Sequence, residues 1–174
     1  MPKAKPITLL IVWHSRTGTA QQMASAAKQG ALEAAQEMGH KNQIKVLSKP
    51  ANETGPEDLL NANGYLFCAP ENLASLSGAM KEFFDVNYYA VLDKLNGRPY
   101  ALMISAGSDG QMALKQAERI AKGWRLEKIM PSIIINTNAQ TAERIWEPKT
   151  INNEQTIKCK EAGAMLAGVL LLGM

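Results

Sequence analysis

From its amino end the chain begins with an apolar run, Ile7 to Trp13 with one Thr, that stops abruptly at His14-Ser15-Arg16-Thr17-Gly18-Thr19. A stretch rich in Ala, Gln, Glu, Lys and Met follows and predicts a helix from about 18 to 38, which Gly39 can end. The alternation then repeats. Gln43 to Leu47 predicts a short strand, and Pro56 suits the first turn of a short helix inside PANETGPEDLLNANG. Tyr65 to Ala69 predicts a buried strand ended by Pro70, with a helix from about Ser75 to Tyr88 behind it. Arg98-Pro99 introduces a strand from Tyr100 to Ser105, followed by a helix from Gln111 to Trp124 and a strand from Ile133 to Asn136. The polar connection Thr137 to Asn152 is long for a plain link. It precedes a last helix whose buried end reads AGAMLAGVLLLGM.

Five strands alternating with helices predict an α/β fold, a parallel sheet covered on both faces. Right-handed crossovers make it doubly wound, and ligands then belong at the carboxyl ends of the strands. Three turns with unusual residues fall at that end: His14 to Thr19, Pro70 to Gly78, and Ser105 to Gly110. The first is an anion-binding arrangement. Free amides of the opening helical turn and the positive end of its dipole point at the loop. Ser15, Thr17 and Thr19 add hydroxyls, Arg16 a charge, and Gly18 a backbone that curls without a Cβ. The plain alternative is an ordinary strand-to-helix turn with Ser and Thr as N-caps. No Gly-Lys-Ser/Thr follows and the three spaced glycines of a dinucleotide fingerprint are missing.

Length and composition narrow the field. The 174 residues predict one domain, 1–174, with a core that needs neither disulfides nor metals. Hydrophobic residues make up 46% and charged residues 20%, as in ordinary soluble proteins. A net charge of +3 spread along the chain gives no basic block, so nucleic acid is not indicated as a partner. Cys68 and Cys159 stand alone without metal-like or redox spacing, which fits a reduced, cytoplasmic setting. The basic start MPKAKP lacks a cleavage pattern, and the apolar carboxyl end is below the ~20 residues that span a bilayer. No metal site and no membrane span are therefore expected.

The three turns together resemble the flavodoxin-like FMN-binding family. Its first loop has the form Ser/Thr-x-Thr-Gly-x-Thr and binds the FMN phosphate; here Ser15-Arg16-Thr17-Gly18-Thr19-Ala20 matches except at Ala20. The stretch Ala69 to Asp85, with Pro70 and Ser77-Gly78-x-x-Lys81-x-Phe83-x-Asp85, resembles the NAD(P)H-dependent FMN and quinone reductase branch. Ser105 to Gly110 is similar to the Gly-rich loop that lies beside the flavin there. The resemblance implies a three-layer sandwich with strand order 2-1-3-4-5. It also implies FMN as cofactor, with Ser15, Arg16, Thr17, Gly18, Thr19 and Ala20 around the phosphate. Pro70, Glu71, Asn72, Leu73 and Ala74 would line one side of the ring system, and Ser105, Ala106, Gly107, Ser108, Asp109 and Gly110 the other. Beside this stand plainer readings: Ser75 or Ser77 as an N-cap, and Asp109-Gly110 as a simple turn.

Other residues carry weaker signals. His14 next to Ser15 is no nucleophile pair, because neighbours on a strand end point to opposite faces. Lys81 and Asp85 read as a solvated helix pair. Phe83, Phe84, Tyr88 and Tyr89 read as core or subunit interface, the three tryptophans as packing, and the nine methionines as core filler. The function implied by the resemblance is an oxidoreductase that passes electrons from NAD(P)H through FMN to a small acceptor such as a quinone or a flavin. The alternative is a flavodoxin-type electron carrier, and a third reading is a flavin-binding module with a regulatory role. Carriers in this family resemble strongly acidic proteins, whereas this chain is slightly basic. Self-association as a homo-oligomer is expected, since a subunit edge often completes such a pocket.

Overall fold

Each apolar run read as a strand lies in a single sheet, in a computed structural model that describes residues 6–173. The start of the chain through Lys5, part of the segment read as lacking a cleavage pattern, and Met174 lie outside the described residues. In chain order the elements are β1 (Ile7–Trp13), α1 (Thr19–Glu37), β2 (Ile44–Pro50), a short 3-10 turn (Ala51–Glu53), α2 (Pro56–Asn61), β3 (Gly64–Asn72), β4 (Ser75–Leu76) and α3 (Gly78–Val91). Then come β5 (Pro99–Ala106), α4 (Gln111–Gly123), β6 (Glu127–Lys128), β7 (Ile133–Asn136), α5 (Ala142–Trp146) and α6 (Asn153–Leu172).

The sheet runs β2-β1-β3-β5, all parallel, which is the expected order of the main strands. Its fifth position is shared. β6 pairs with Pro99 and Tyr100, while β7 pairs with Met103 to Ala106 of the same strand. Side chains alternate across the sheet with the period of two that extended chain imposes. Leu9, Ile11, Leu66, Cys68 and Met103 face α1 and α6; Leu10, Val12, Tyr65, Phe67 and Leu102 join the core cluster of α2, α3 and α4. Because both faces are covered, the strands read as continuous apolar runs.

The two halves of the core are built differently. Between α1 and α6 the contact is made of small residues, including Ala27, Ala31, Ala162 and Ala167, and backbone meets backbone at Gly30 and Gly163. Across the sheet the filling is aromatic. Phe67 sits within a ring cluster of Phe83, Phe84, Tyr100 and Trp124, and the Trp124 indole donates to the carbonyl of Tyr88 at 3.1 Å. Of the aromatic patch only Tyr89 is fully exposed, and Lys81 and Asp85 pair at the surface at 2.6 Å. Met23, Met80 and Met103 fill core space as expected, whereas Met112 and Met165 are exposed.

Several boundaries differ from the sequence reading. β2 runs on to Pro50. β3 does not stop at Pro70 but continues to Asn72, because β1 ends opposite Cys68 and leaves an open side where a missing N–H breaks no ladder. The chain then turns back on itself: Asn72 pairs with Ser75, and Leu73 and Ala74 form the two-residue turn with φ of 51° and 57°. Both are the left-handed values of a tight hairpin turn. The hairpin takes Ser75 and Leu76, so α3 begins at Gly78 rather than near Ser75. The connection 137–152 contains the short helix α5.

Candidate functional site

β1, β3 and β5 all end at the same edge, so the three turns that follow them converge. They line one cleft of about 590 Å³. Arg16, Thr17 and Thr19 come from the first turn, Pro70 to Ala74 from the second, and Ser105 to Ser108 from the third. Of the other residues expected there, Ser15 and Gly18 shape the first turn from behind. The Gly18 amide donates to Ser15 Oγ at 3.2 Å, and Gly18 takes φ of 99° at the N-cap of α1. Ala20 does not line the cleft; it is 1% exposed and packs in the core beneath α1, where its carbonyl accepts from Cys68 Sγ. Asp109 is exposed and off the cleft. Gly110 is the N-cap of α4, and its amide donates to Glu71 Oε2 at 2.8 Å.

That last bond distinguishes two helix ends. A helix N-terminus favours negative charge. At α4 the Glu71 carboxylate meets this demand from within the protein. At α1 no acidic residue lies in the first turn and no side chain caps it. Thr19 Oγ1 is buried at that end, on the wall of the cleft, and has no hydrogen-bond partner. The side-chain Nδ2 of Asn72, on the second turn, is likewise buried without a partner. Orphaned buried polar atoms are few in folded proteins and ask for an explanation. An anion at α1 and a ring carbonyl near Asn72 would supply both.

The second turn is held by α4. Gln116 Oε1 accepts from Ser75 Oγ at 2.9 Å and from the Leu76 amide at 2.8 Å. Ser77 occupies the N-cap position of α3, but its hydroxyl does not cap the helix. It lies 2.8 Å from His14 Nδ1 and ties the end of β1 to the start of α3. Burial, and after it the charge of Arg16, hold the His14 imidazole below its ordinary pKa. Ser15, its chain neighbour, is turned to Gly18 instead. Burial pushes the Cys68 thiol well up and Cys159 to about 12, so neither is a ready thiolate. Among the described residues no three potential metal ligands gather, and no helix is long and apolar enough to cross a membrane.

The sequence reading missed the fourth wall. Thr137, Ala139, Ile145, Trp146 and Lys149 also line the cleft, all from the 137–152 connection. Its near end is tied to the third turn, Thr137 and Ala139 amides donating to the carbonyls of Ala106 and Gly107. A Cβ on Gly107 would stand 2.6 Å from the Ala139 carbonyl oxygen, so glycine is needed for that approach. The far end is tied to the first turn, with the Lys149 amide donating to the Thr17 carbonyl at 2.9 Å. Trp146 is 65% exposed and has the Arg16 guanidinium 5.6 Å from its ring centre. Trp13 and Trp124 pack in the two cores. Only a weak signal announced α5: Thr141 ahead of Ala-Glu-Arg, an N-cap whose Oγ1 does accept from the Arg144 amide.

Comparison with known proteins agrees with this layout. The family model described as NADPH-dependent FMN reductase matches residues 47–139, more than half of the chain and including the second and third turns. No curated protein matches the sequence. Among solved structures, an oxidoreductase from Corynebacterium diphtheriae is 19% identical with a TM-score of 0.73, covering 97% of this chain and 99% of that one. A flavodoxin from the domain Archaea is 16% identical with a TM-score of 0.71, covering 95% and 99%. A WrbA-like flavodoxin from Agrobacterium tumefaciens is 15% identical with a TM-score of 0.70, covering 97% and 99%. At such identities these three establish the flavodoxin-like fold.

Proposed function

The chain belongs to the NADPH-dependent FMN reductase family, FMN-binding oxidoreductases, and on that premise we propose that it passes electrons from NAD(P)H to a small acceptor such as a quinone or a free flavin. One observation supports this reading above the rest. The three strand-end turns meet around a single cleft whose α1 end offers a buried, unpartnered hydroxyl at Thr19. FMN, when bound, supplies the chemistry that links a two-electron donor to its acceptor. The chain's own part is to hold, orient and shield.

Thr17, Thr19 and the amides opening α1 would hold the phosphate, with Ser15 and Gly18 keeping the turn in shape. Pro70 to Ala74 and Ser105 to Ser108 would flank the ring system. In this role Asn72 Nδ2 donates to a ring acceptor, and Glu71, fixed on the Gly110 amide, keeps the second and third turns at one spacing. Small side chains at Ala74, Ala106 and Gly107 let the main chain come close. The acceptor and the nicotinamide enter at the mouth, where Leu73, Ile145 and Trp146 present apolar surface.

The test is optical. The purified protein loaded with FMN is mixed anaerobically with NADPH, and its visible absorbance is followed. Rapid bleaching, reversed by adding a naphthoquinone, is the expected result. Absorbance that survives NADPH yet falls with a one-electron reductant would replace the enzyme by the electron carrier.

A further inference from the structure

Residues 140–148, all of them exposed, cross the mouth of the cleft, and α5 within them has no buried residue. Burial therefore does not hold this strap in place, and hydrogen bonds must. The principal clasp is one side chain, Gln22, in the first turns of α1. Its Nε2 donates to the Gly18 carbonyl at 3.0 Å and to the Lys149 carbonyl at 2.7 Å, while its Oε1 accepts from the Ile151 amide at 3.2 Å. A single primary amide thus binds the anion turn and the strap together, using three of its four hydrogen-bonding positions.

From Lys149 the connection runs on to Trp146. The Lys149 ammonium donates to the carbonyls of Arg144, Ile145 and Glu147, closing the last turn of α5. That turn carries Trp146 against the Arg16 guanidinium. Gln22 itself is not on the cleft wall. Whatever it does for ligands it does through Gly18 and Lys149.

We infer that Gln22 is a positioning residue that sets the Trp146 wall of the acceptor site from the geometry of the phosphate turn, so that cofactor and acceptor binding are coupled through it. The inference rests on the function proposed above. A chain of hydrogen bonds that spans two loops can carry such coupling when both loops have to take one arrangement together.

Steady-state kinetics with NADPH and the naphthoquinone menadione, on FMN-loaded wild type, Gln22→Ala, Trp146→Ala and the double variant, test it. Each single substitution is expected to raise KM for the quinone about fivefold, with kcat within twofold, and the double variant is no worse than either, as for two residues of one unit. Additive increases, or a fall in kcat at unchanged KM, overturn the inference. Gln22→Met, which keeps the volume and loses the amide, should behave as Gln22→Ala and guards against a simple packing defect. A second measurement is independent of turnover: amide hydrogen exchange over 140–149 with and without FMN. FMN should slow that exchange in wild type and leave it unchanged in Gln22→Ala. Wild type that binds FMN with no protection of the strap overturns the coupling and leaves the proposed function standing. Wild type that takes up no FMN removes both.

Discussion

The Cβ that Gly163 lacks would stand 1.8 Å from the carbonyl oxygen of Ala27, and the one that Gly30 lacks would stand 2.0 Å from the carbonyl oxygen of Lys160. Backbone occupies both positions, so neither neighbour can rotate away. Gly163→Ala must force α1 and α6 apart, and overpacking of that kind costs about 3 kcal/mol or more. Gly168, on the same helix, has nothing within 4 Å of its missing Cβ. Gly168→Ala should stabilise by about 0.5–1 kcal/mol through helix propensity alone. Urea unfolding separates the two, and equal midpoints would refute the argument.

Thr19 and Asn72 hold the two unpartnered atoms of the cleft. Thr19→Val keeps the shape and removes the hydroxyl. One lost hydrogen bond of about 1–1.5 kcal/mol predicts FMN affinity roughly tenfold weaker. Stability should not fall, since a buried unpaired hydroxyl is itself unfavourable. Asn72→Ala should weaken FMN by a similar factor. Flavin fluorescence titration reads both, and unchanged affinity in both variants would remove the assignment of these two side chains to the cofactor.

His14 predicts a pH effect. Its folded-state pKa lies below the ordinary imidazole value of 6.5, first because of burial and then because of Arg16. Below 6.5 the unfolded chain takes up a proton that the folded chain resists, so stability is complete above that value and declines as pH falls from it through the depressed pKa. The unfolding midpoint of the FMN-free protein should drop as pH falls below 6.5. His14→Gln, still able to reach Ser77, should flatten that slope. A slope that survives the substitution would assign it to other groups.

Arg98 is the structural cation that the sequence reading passed over as a strand lead-in. The two N–H groups of its guanidinium Nη1 are shared among four acceptors, the carbonyls of Leu59 and Leu60 at 3.0 Å, that of Ala62 at 2.6 Å and the Tyr65 hydroxyl at 2.9 Å. It gathers the carbonyls that α2 leaves free at its end. Arg98→Ala should cost about 2–3 kcal/mol, as charged hydrogen bonds to half-buried acceptors do. Arg98→Lys should recover only part, because an ammonium offers one nitrogen and gives up the second contact, from Nη2 to the Lys94 carbonyl at 3.3 Å. Chemical denaturation of the two variants checks the order.

How much of this was legible in the sequence depended on range. The strands of the central sheet announced themselves because each is buried on both faces, and Gly18 marked its turn because φ of 99° suits glycine. The hairpin at Leu73-Ala74 gave no sign: its left-handed turn carries neither Asn nor Gly, and it is held from outside by Gln116. The strap with Trp146 was equally silent. Its order comes from side chains more than a hundred residues away in sequence, Gln22 above all, which no local pattern records. At Ala20 the motif position did not reveal that the side chain packs in the core, because it says nothing of which way a helical side chain points.

The outer boundary of the sheet, shared between β6 and β7, has a colloidal consequence. Between the two short strands the ladder is interrupted over residues 130–132, with Pro131 among them, and the opposite boundary carries Lys45 and Lys49 before ending in Pro50. One side presents no unbroken row of amides and the other guards its row with two lysines and a closing proline, so crowded copies meet a poor template for joining edge to edge into fibrils.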